Sequence, residues 1–133
     1  ANMGVQPYLL SNSLVGLVAQ RLVRVLCKVC RQAYTADEYE CEFLKLDPAN
    51  APTLYRPLGC EACAQEGYKG RMGIYEVVEV DNDLRRMIHS GASEMDMEQT
   101  VRSKTTGIRD DGRQRVIGGF TTIDEIIRVT MED

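Results

Sequence analysis

Two pairs of cysteines with the same internal spacing constrain the fold of this chain more than any other feature. Residues 27–30 (CKVC) and residues 60–63 (CEAC) are both C-x-x-C sequences. Such a turn places two sulfur atoms on one metal ion, and two such turns complete the tetrahedral ligand sphere of a structural zinc site. The sequence therefore predicts one zinc ion with the ligands Cys27, Cys30, Cys60 and Cys63.

Three other uses of these thiols explain the sequence less well. Paired disulfides suit a secreted chain, but the cysteines number five and we expect no signal peptide, because no basic region precedes an apolar block. A thioredoxin-type redox pair needs a single C-x-x-C at a strand-to-helix junction. Four unrelated core thiols would leave the doubled spacing unexplained. The fifth cysteine, Cys41, is predicted to be a buried or half-buried thiol on a helix.

The segment between the two pairs is unusually long. It has 29 residues, whereas zinc ribbons commonly have roughly 15–20. We therefore expect it to form a small structure of its own. Within it, Asp37 to Leu46 predicts a short charged helix that ends at Asp47-Pro48, because proline disfavours the helical conformation in the residue before it. Residues 54–56 are predicted to be extended.

Length, composition and charge limit the class of protein. The 133 residues are 44% hydrophobic and 27% charged, as in one globular domain or two small subdomains. The net charge of −4 argues against a nucleic-acid binder held by phosphate charge. Polar residues interrupt the apolar residues 1–20, so we expect no membrane span. Residues 1–36 carry four basic and no acidic side chains. With the Ala-Asn start, this favours a piece of a longer protein whose further chain covers that surface.

Periodicity and capping signals predict the remaining elements. Leucines and valines recur at helical spacing from Leu9 to Leu26, which predicts one helix before the first cysteine pair. Residues 74–80 are rich in strand-forming residues. Four capping signals in the last third predict four helices. In chain order they are Asp81 or Asn82 closed by Gly91, Ser93 with Asp96, Asp110-Asp111 with a stop at Gly118-Gly119, and the capping box Thr122–Glu125.

Three other residue patterns are often found in catalytic sites, but none of them predicts catalysis in this sequence. Gly67, Gly70 and Gly73 do not form a Walker A loop, because that loop needs lysine directly after glycine and none of the four lysines follows one. We expect these glycines to form turns and a strand entry. Asp110 and Asp111 are expected to cap a helix rather than to bind Mg²⁺, since adjacent helix positions do not face each other. His89 is expected on the surface or in packing.

Several stretches resemble the bacterial type II secretion ATPases, in order, along nearly the whole chain. They are residues 3–9 (MGVQPYL), 19–27 (AQRLVRVLC), 67–76 (GYKGRMGIYE), 108–112 (IRDDG), 119–122 (GFTT) and 128–130 (RVT). The tetracysteine motif also stands in its place within that order. Type IV pilus assembly ATPases share the cysteines and the glycine-rich element. The IRDDG stretch and the 29-residue gap favour the secretion branch, and the pilus branch stays an alternative.

The resemblance implies the C-terminal part of a cytoplasmic motor that powers protein secretion across the outer membrane. Such a motor is a homo-hexamer that binds ATP and Mg²⁺. It lies peripherally at the inner membrane of a Gram-negative bacterium, on platform proteins of the secretion system, with no nucleic acid and no direct membrane span. The family's nucleotide boxes lie upstream of these motifs, so no catalytic or nucleotide-binding residue is expected here and this chain alone is expected to be inactive. Of the family's functional residues, only the four cysteines match positions in this chain, and the resemblance implies that they are zinc ligands. Arg21 and Arg71 also lie in family motifs, but the resemblance assigns no contact to them.

The expected fold class is α+β and mostly helical, with three parts. Residues 1–26 would be the C-terminal helix of a RecA-like P-loop NTPase core, residues 27–63 the tetracysteine zinc-binding module, and residues 64–133 a mostly helical C-terminal subdomain. The region would give structural support and coupling rather than catalysis. A free-standing zinc adaptor domain is the alternative from another class, and the acidic net charge and apolar first segment count against it.

Overall fold

The computed structural model describes residues 6–10, 13–105 and 107–131, and these contain five strands and five α-helices. The strands are β1 (Gln6–Leu10), β2 (Ser13–Leu26), β3 (Gln32–Thr35), β4 (Thr53–Arg56) and β5 (Tyr68–Glu79). The helices are α1 (Glu38–Leu44), α2 (Asn82–Ser90), α3 (Glu94–Lys104), α4 (Ile108–Ile117) and α5 (Ile123–Thr130). The α+β class is confirmed. The mostly helical composition is wrong, since nearly as many of these residues lie in strands as in helices.

The chain divides into two compact units. One combines Ala1–Gln20 with Tyr75–Ile108, and the other combines Arg21–Ile74 with Arg109–Asp133. Across the part of the chain that the structure describes, no helix is both long enough and apolar enough to cross a membrane. Residues 3–5 of the first family-like stretch lie outside the described residues.

The apolar segment before the first cysteine pair forms two strands, so the predicted helix is wrong. β1 and β2 pair antiparallel from Gln6↔Leu17 to Leu10↔Ser13. Residues 11 and 12, between the two strands, lie outside the described residues. A nearly continuous apolar run fits both periodicities, but β2 contains four β-branched valines, which favour a strand. β2 lies between β1 and β5 in a three-stranded sheet.

In the first unit, the end of β5 packs against α2 and α3. The core side chains there are Val78, Val80, Leu84 and Val101. The predicted caps of the two helices are confirmed. Asp81 accepts the Leu84 N–H at 3.0 Å, and Gly91 ends α2 in the left-handed conformation at φ +73°. Ser93 caps α3. His89 is exposed in the last turn of α2, as expected.

In the second unit, α4 and α5 approach closely because α4 carries a glycine where they meet. A Cβ atom on Gly112 would lie 2.8 Å from Cδ1 of Ile126. Since α4 begins at Ile108, Asp110 lies inside the first turn rather than before it. Its carboxylate forms an ion pair with Arg113 at 2.5 Å. This ion pair replaces the capping role predicted for Asp110.

The capping box predicted at Thr122–Glu125 is only half formed. The Thr122 hydroxyl accepts the Glu125 N–H at 3.2 Å. The Glu125 side chain, however, is only 2% exposed and accepts hydrogen bonds from the backbone N–H of Arg24 and from the guanidinium groups of Arg24 and Arg128. Burial raises the pKa of Glu125, but these donors outweigh burial and lower the pKa to about 2. Glu125 is therefore a buried, ionised anchor between β2 and α5.

Candidate metal centre

The segment between the two cysteine pairs folds as the small structure of its own that its length predicts. β3 and β4 pair antiparallel from Gln32↔Arg56 to Thr35↔Thr53. The first cysteine pair comes just before β3 and the second just after β4. Because paired antiparallel strands bring the start of one beside the end of the other, this sheet places both cysteine pairs at the same end.

Helix α1 lies in the connection between β3 and β4, where the sequence predicts a short charged helix. Asp37 accepts the Glu40 N–H, and the Glu40 side chain accepts the Asp37 N–H, which completes a capping box. Cys41 lies in this helix and is fully buried, as predicted. Burial raises the pKa of its thiol, so Cys41 is a packing residue and a poor metal ligand.

The structure brings the four predicted ligand atoms together. All four Sγ atoms lie within 4.8 Å of one another. The Sγ–Sγ distances Cys27–Cys60, Cys30–Cys63 and Cys60–Cys63 are each 3.8 Å. In a regular tetrahedron with zinc–sulfur distances of about 2.3 Å, neighbouring sulfurs are also about 3.8 Å apart. A disulfide bond measures about 2.05 Å, and all four thiols are free. The cluster could therefore hold one tetrahedral metal ion.

Backbone N–H groups donate short hydrogen bonds to the sulfur atoms of Cys30 and Cys63. The N–H of Gly59 donates to Sγ of Cys30 at 3.2 Å. The N–H groups of Gly67 and Cys60 donate to Sγ of Cys63 at 3.1 and 3.3 Å. Hydrogen bonds of this kind stabilise the negative charge of a thiolate and orient it toward a metal. The donors belong to the same turns that carry the cysteines.

Both donor glycines occupy positions where a side chain would clash with neighbouring atoms. Gly59 has φ +107° and Gly67 has φ +82°, in the region that side chains disfavour. A Cβ on Gly67 would lie 2.5 Å from Cβ of Pro57, and a Cβ on Gly59 would lie 2.9 Å from the carbonyl oxygen of Gln65. The sequence predicts a turn at Gly67, but it predicts neither the contact of Gly67 with sulfur nor a role for Gly59. The sequence feature that could have indicated this role is the presence of a glycine on each side of the second cysteine pair.

Burial and hydrogen bonding act in opposite directions on the thiols. The backbone N–H of Cys30 lowers the pKa of Cys27 despite burial. Burial raises the pKa of Cys63, but the N–H groups of Cys60 and Gly67 lower it overall, to about 6. At Cys60 burial dominates and raises the pKa to about 11. Cys27 and Cys63 therefore ionise more readily than Cys60, and a bound cation would favour ionisation of the Cys60 thiol.

Hydrogen bonds connect the centre to the segment between α4 and α5, all within the second unit. The N–H of Cys27 donates to the carbonyl of Gly67 at 2.9 Å, and the N–H of Leu26 donates to the carbonyl of Phe120 at 2.8 Å. Arg31 donates to the carbonyl of Gly119 at 2.6 Å, and its guanidinium lies 4.0 Å from the ring centre of Tyr55. The cysteine turns are therefore held by backbone and side-chain contacts on several sides.

These features define a small α+β protein whose centre is a tetrathiol group suited to a structural metal ion. The chain belongs to the type II/IV secretion system protein family, whose model matches residues 1–128. It is 52% identical over 132 residues to type II secretion system protein E of Pseudomonas aeruginosa and 45% identical over 132 residues to the protein of that name in Dickeya dadantii. It is 44% identical over 131 residues to type II secretion system ATPase E of Vibrio cholerae. The resemblance seen in the sequence motifs is confirmed.

The chain corresponds to only part of these relatives. The alignments cover 98–99% of this chain and 26% of each relative. The chain therefore spans about a quarter of the length of the relatives it matches.

Proposed function

We propose that this chain is the C-terminal part of an ATPase that powers type II protein secretion across the outer membrane, and that it provides structural support and coupling. Its structural zinc ion is held by Cys27, Cys30, Cys60 and Cys63. The observation that carries this proposal is the tetrahedral sulfur cluster, found in a chain that is 52% identical to a type II secretion system protein E. The ATPase activity in this proposal is inferred from the Vibrio cholerae relative, which is named type II secretion system ATPase E.

The proposal assigns ATP and Mg²⁺ to residues of the parent protein outside this chain. The parent is a cytoplasmic homo-hexamer, peripheral at the inner membrane and docked on platform proteins of the secretion system. Residues 1–26 belong to the edge of a RecA-like core, residues 27–63 form the zinc module and residues 64–133 form the following subdomain. The absence of a Walker A sequence from these 133 residues supports this division of roles.

The zinc ion, when bound, supplies a cross-link between two turns that lie far apart in the sequence. Cys27 directly follows β2, and Cys63 lies shortly before β5, so their turns fix the ends of two neighbouring strands. The N–H groups of Gly59 and Gly67 hold the sulfur atoms in place. Arg31 joins the first turn to Gly119 between α4 and α5. In this proposal, movement of the end of β2 carries the zinc module, α4 and α5 as one body.

The test uses Cys60→Ser in the full-length parent protein, with Cys41→Ser as the matched control. Cys60→Ser removes one thiolate of the cluster, whereas Cys41→Ser alters a thiol outside it. We expect Cys60→Ser to lose zinc and to fail to restore secretion to a strain that lacks the ATPase, while nucleotide titration shows unchanged binding. Cys41→Ser should retain zinc.

Four results would contradict parts of the proposal. Full secretion with Cys60→Ser would show that the metal is dispensable for coupling. Loss of nucleotide binding by folded Cys60→Ser protein would place the module at the nucleotide site. ATP hydrolysis by the purified 133-residue chain would contradict the assignment of catalysis to other residues. Restoration of pilus assembly instead of secretion would identify the pilus branch.

A further inference from the structure

A cavity in the second unit is lined by three arginines that come from three different elements. Arg24 lies on β2, Arg71 on β5 and Arg128 on α5, and together with Leu22 they surround an open space of about 450 Å³. Convergence of three guanidinium groups on one concave surface is unfavourable unless negative charge offsets it. The carboxylate that contacts two of them is that of Glu125.

Glu125 does not neutralise this cavity, because it is one carboxylate against three guanidinium groups. Arg24 donates to it through Nε at 3.1 Å and Nη2 at 2.8 Å. Arg128 donates through Nε at 3.0 Å and Nη2 at 2.8 Å. Each guanidinium thus uses one edge on Glu125, and its other Nη group makes no hydrogen bond with the residues that the structure describes. A surplus of two positive charges therefore faces the cavity.

The two arginines that bind Glu125 are already oriented. The guanidinium of Arg24 also lies 4.2 Å from the ring centre of Tyr68. The Tyr68 hydroxyl is in turn hydrogen-bonded to the Thr122 hydroxyl at 2.9 Å. Such stacking and bidentate pairing hold an arginine in place before any ligand arrives. Within residues 6–10, 13–105 and 107–131, Arg71 has no ion-pair partner, so its full set of N–H donors can turn to a ligand.

We propose that the cavity formed by Arg24, Arg71 and Arg128 is a binding site for a phosphoryl dianion. Two negative charges match the surplus of two positive charges, whereas a single carboxylate would leave one charge unbalanced. Tetrahedral oxygens also accept hydrogen bonds from guanidinium forks in several directions at once. The phosphoryl group can be inorganic phosphate or part of a polyphosphate chain, since both present the same chemistry. This inference goes beyond the proposed function, because it involves none of the metal-binding thiols.

The test is isothermal titration of the zinc-loaded 133-residue chain at low ionic strength and pH 7.5, with inorganic phosphate and separately with tripolyphosphate. Arg71→Gln is expected to weaken binding at least about tenfold, because it removes one of three guanidinium groups. Arg71→Lys, which keeps the charge but not the fork, should fall between the two proteins. Arg56→Gln is the matched control, because Arg56 lies in the same unit but packs 4.0 Å over the ring of Tyr34.

Equal affinities for the two probes, both reduced by Arg71→Gln, would support the site and identify a single phosphoryl group as the ligand. Tighter binding of tripolyphosphate, again reduced by Arg71→Gln, would support the site and identify a polyphosphate chain. The proposal is overturned if neither probe binds, or if a folded, zinc-retaining Arg71→Gln protein binds both as well as the unaltered chain. Equal weakening by Arg56→Gln would also overturn it, because binding would then reflect general positive charge.

Discussion

Replacement of Glu125 by glutamine tests the buried ion pair between β2 and α5. The glutamine side chain has nearly the same volume, so the change removes charge without opening a cavity. In the structure the carboxylate is almost fully buried and accepts hydrogen bonds from the backbone of Arg24 and from two guanidinium groups. Removing the charge leaves both arginines without their anion.

The pKa of Glu125 sets the size of the effect. It falls from an ordinary value of 4.5 to about 2, because burial, which raises it, is outweighed by the hydrogen bonds from Arg128 and Arg24. A shift of this size corresponds to about 3 kcal/mol of stability at neutral pH. The side chains of Arg24 and Arg128 are 46% and 55% exposed, so water screens part of this electrostatic stabilisation. We therefore expect Glu125→Gln to lower the free energy of unfolding by about 2–3 kcal/mol at pH 7.

The direction of the pH dependence follows from the lowered pKa. Since the carboxyl is more acidic in the folded state, its contribution is fully present above the unfolded pKa and is lost as the pH falls through the folded pKa. The difference between the two proteins should therefore shrink between about pH 6 and pH 2. Acid also releases zinc from thiolates, but it does so in both proteins. The difference between them isolates Glu125.

The assay is urea unfolding of both proteins at several pH values, with zinc content measured on the same samples. Asp124→Asn is the control, because Asp124 is an exposed acid in the first turn of the same helix. Asp124→Asn should lower the free energy of unfolding by less than about 0.5 kcal/mol. A Glu125→Gln protein within that margin of the unaltered chain at pH 7 would refute the reasoning. A large difference that does not change between pH 6 and pH 3 would show that packing, and not charge, is responsible.

Two further predictions concern the metal centre. The purified chain should contain about one zinc per molecule with sulfur ligands at about 2.3 Å. Chelation should remove hydrogen-exchange protection from residues 27–63 before it affects the rest of the chain. A protein without metal, or a uniform loss of protection along the chain, would contradict this prediction. Gly67→Ala should destabilise the chain by at least about 2 kcal/mol and weaken zinc binding in a competition assay, because its Cβ would meet Pro57 at 2.5 Å. Gly70→Ala is the control, because Gly70 has φ +86° but no atom lies within 4 Å of the added Cβ. It should lower stability by only about 1–2 kcal/mol through backbone strain and leave zinc affinity unchanged. Equal effects of the two substitutions would contradict a role for Gly67 at the sulfur.

Features that depend on a few neighbouring residues could be predicted from the sequence. The cysteine spacing predicts the assembly of four sulfurs, because two short turns and one tetrahedral ion leave little geometric freedom. The caps Asp81, Ser93 and Thr122 were also predictable, since a short polar side chain satisfies N–H groups two or three residues away. In each case the partner lies within one turn.

Features that depend on distant residues were not predictable in the same way. A long apolar segment can form a helix or a strand, and the pairing of β2 with its neighbours decides between them. Glu125 fits a capping box by spacing, yet its partner Arg24 is 101 residues away in the sequence. Gly59 and Gly67 are needed because Gln65 and Pro57 approach them, which only the folded turn reveals.

The end of β2 is the point where the metal centre and the buried ion pair meet. Arg24 holds Glu125 through its backbone N–H and its side chain, and Cys27 enters the sulfur cluster three residues later. Between them, the carbonyl of Arg24 accepts the Thr121 hydroxyl at 2.7 Å, and the N–H of Leu26 donates to Phe120. Residues 24–27 are thus bound on one side to the start of α5 and on the other to the cysteine turns. A displacement of this strand end must move both, because neither set of contacts can yield without exposing buried charge or opening the sulfur cluster.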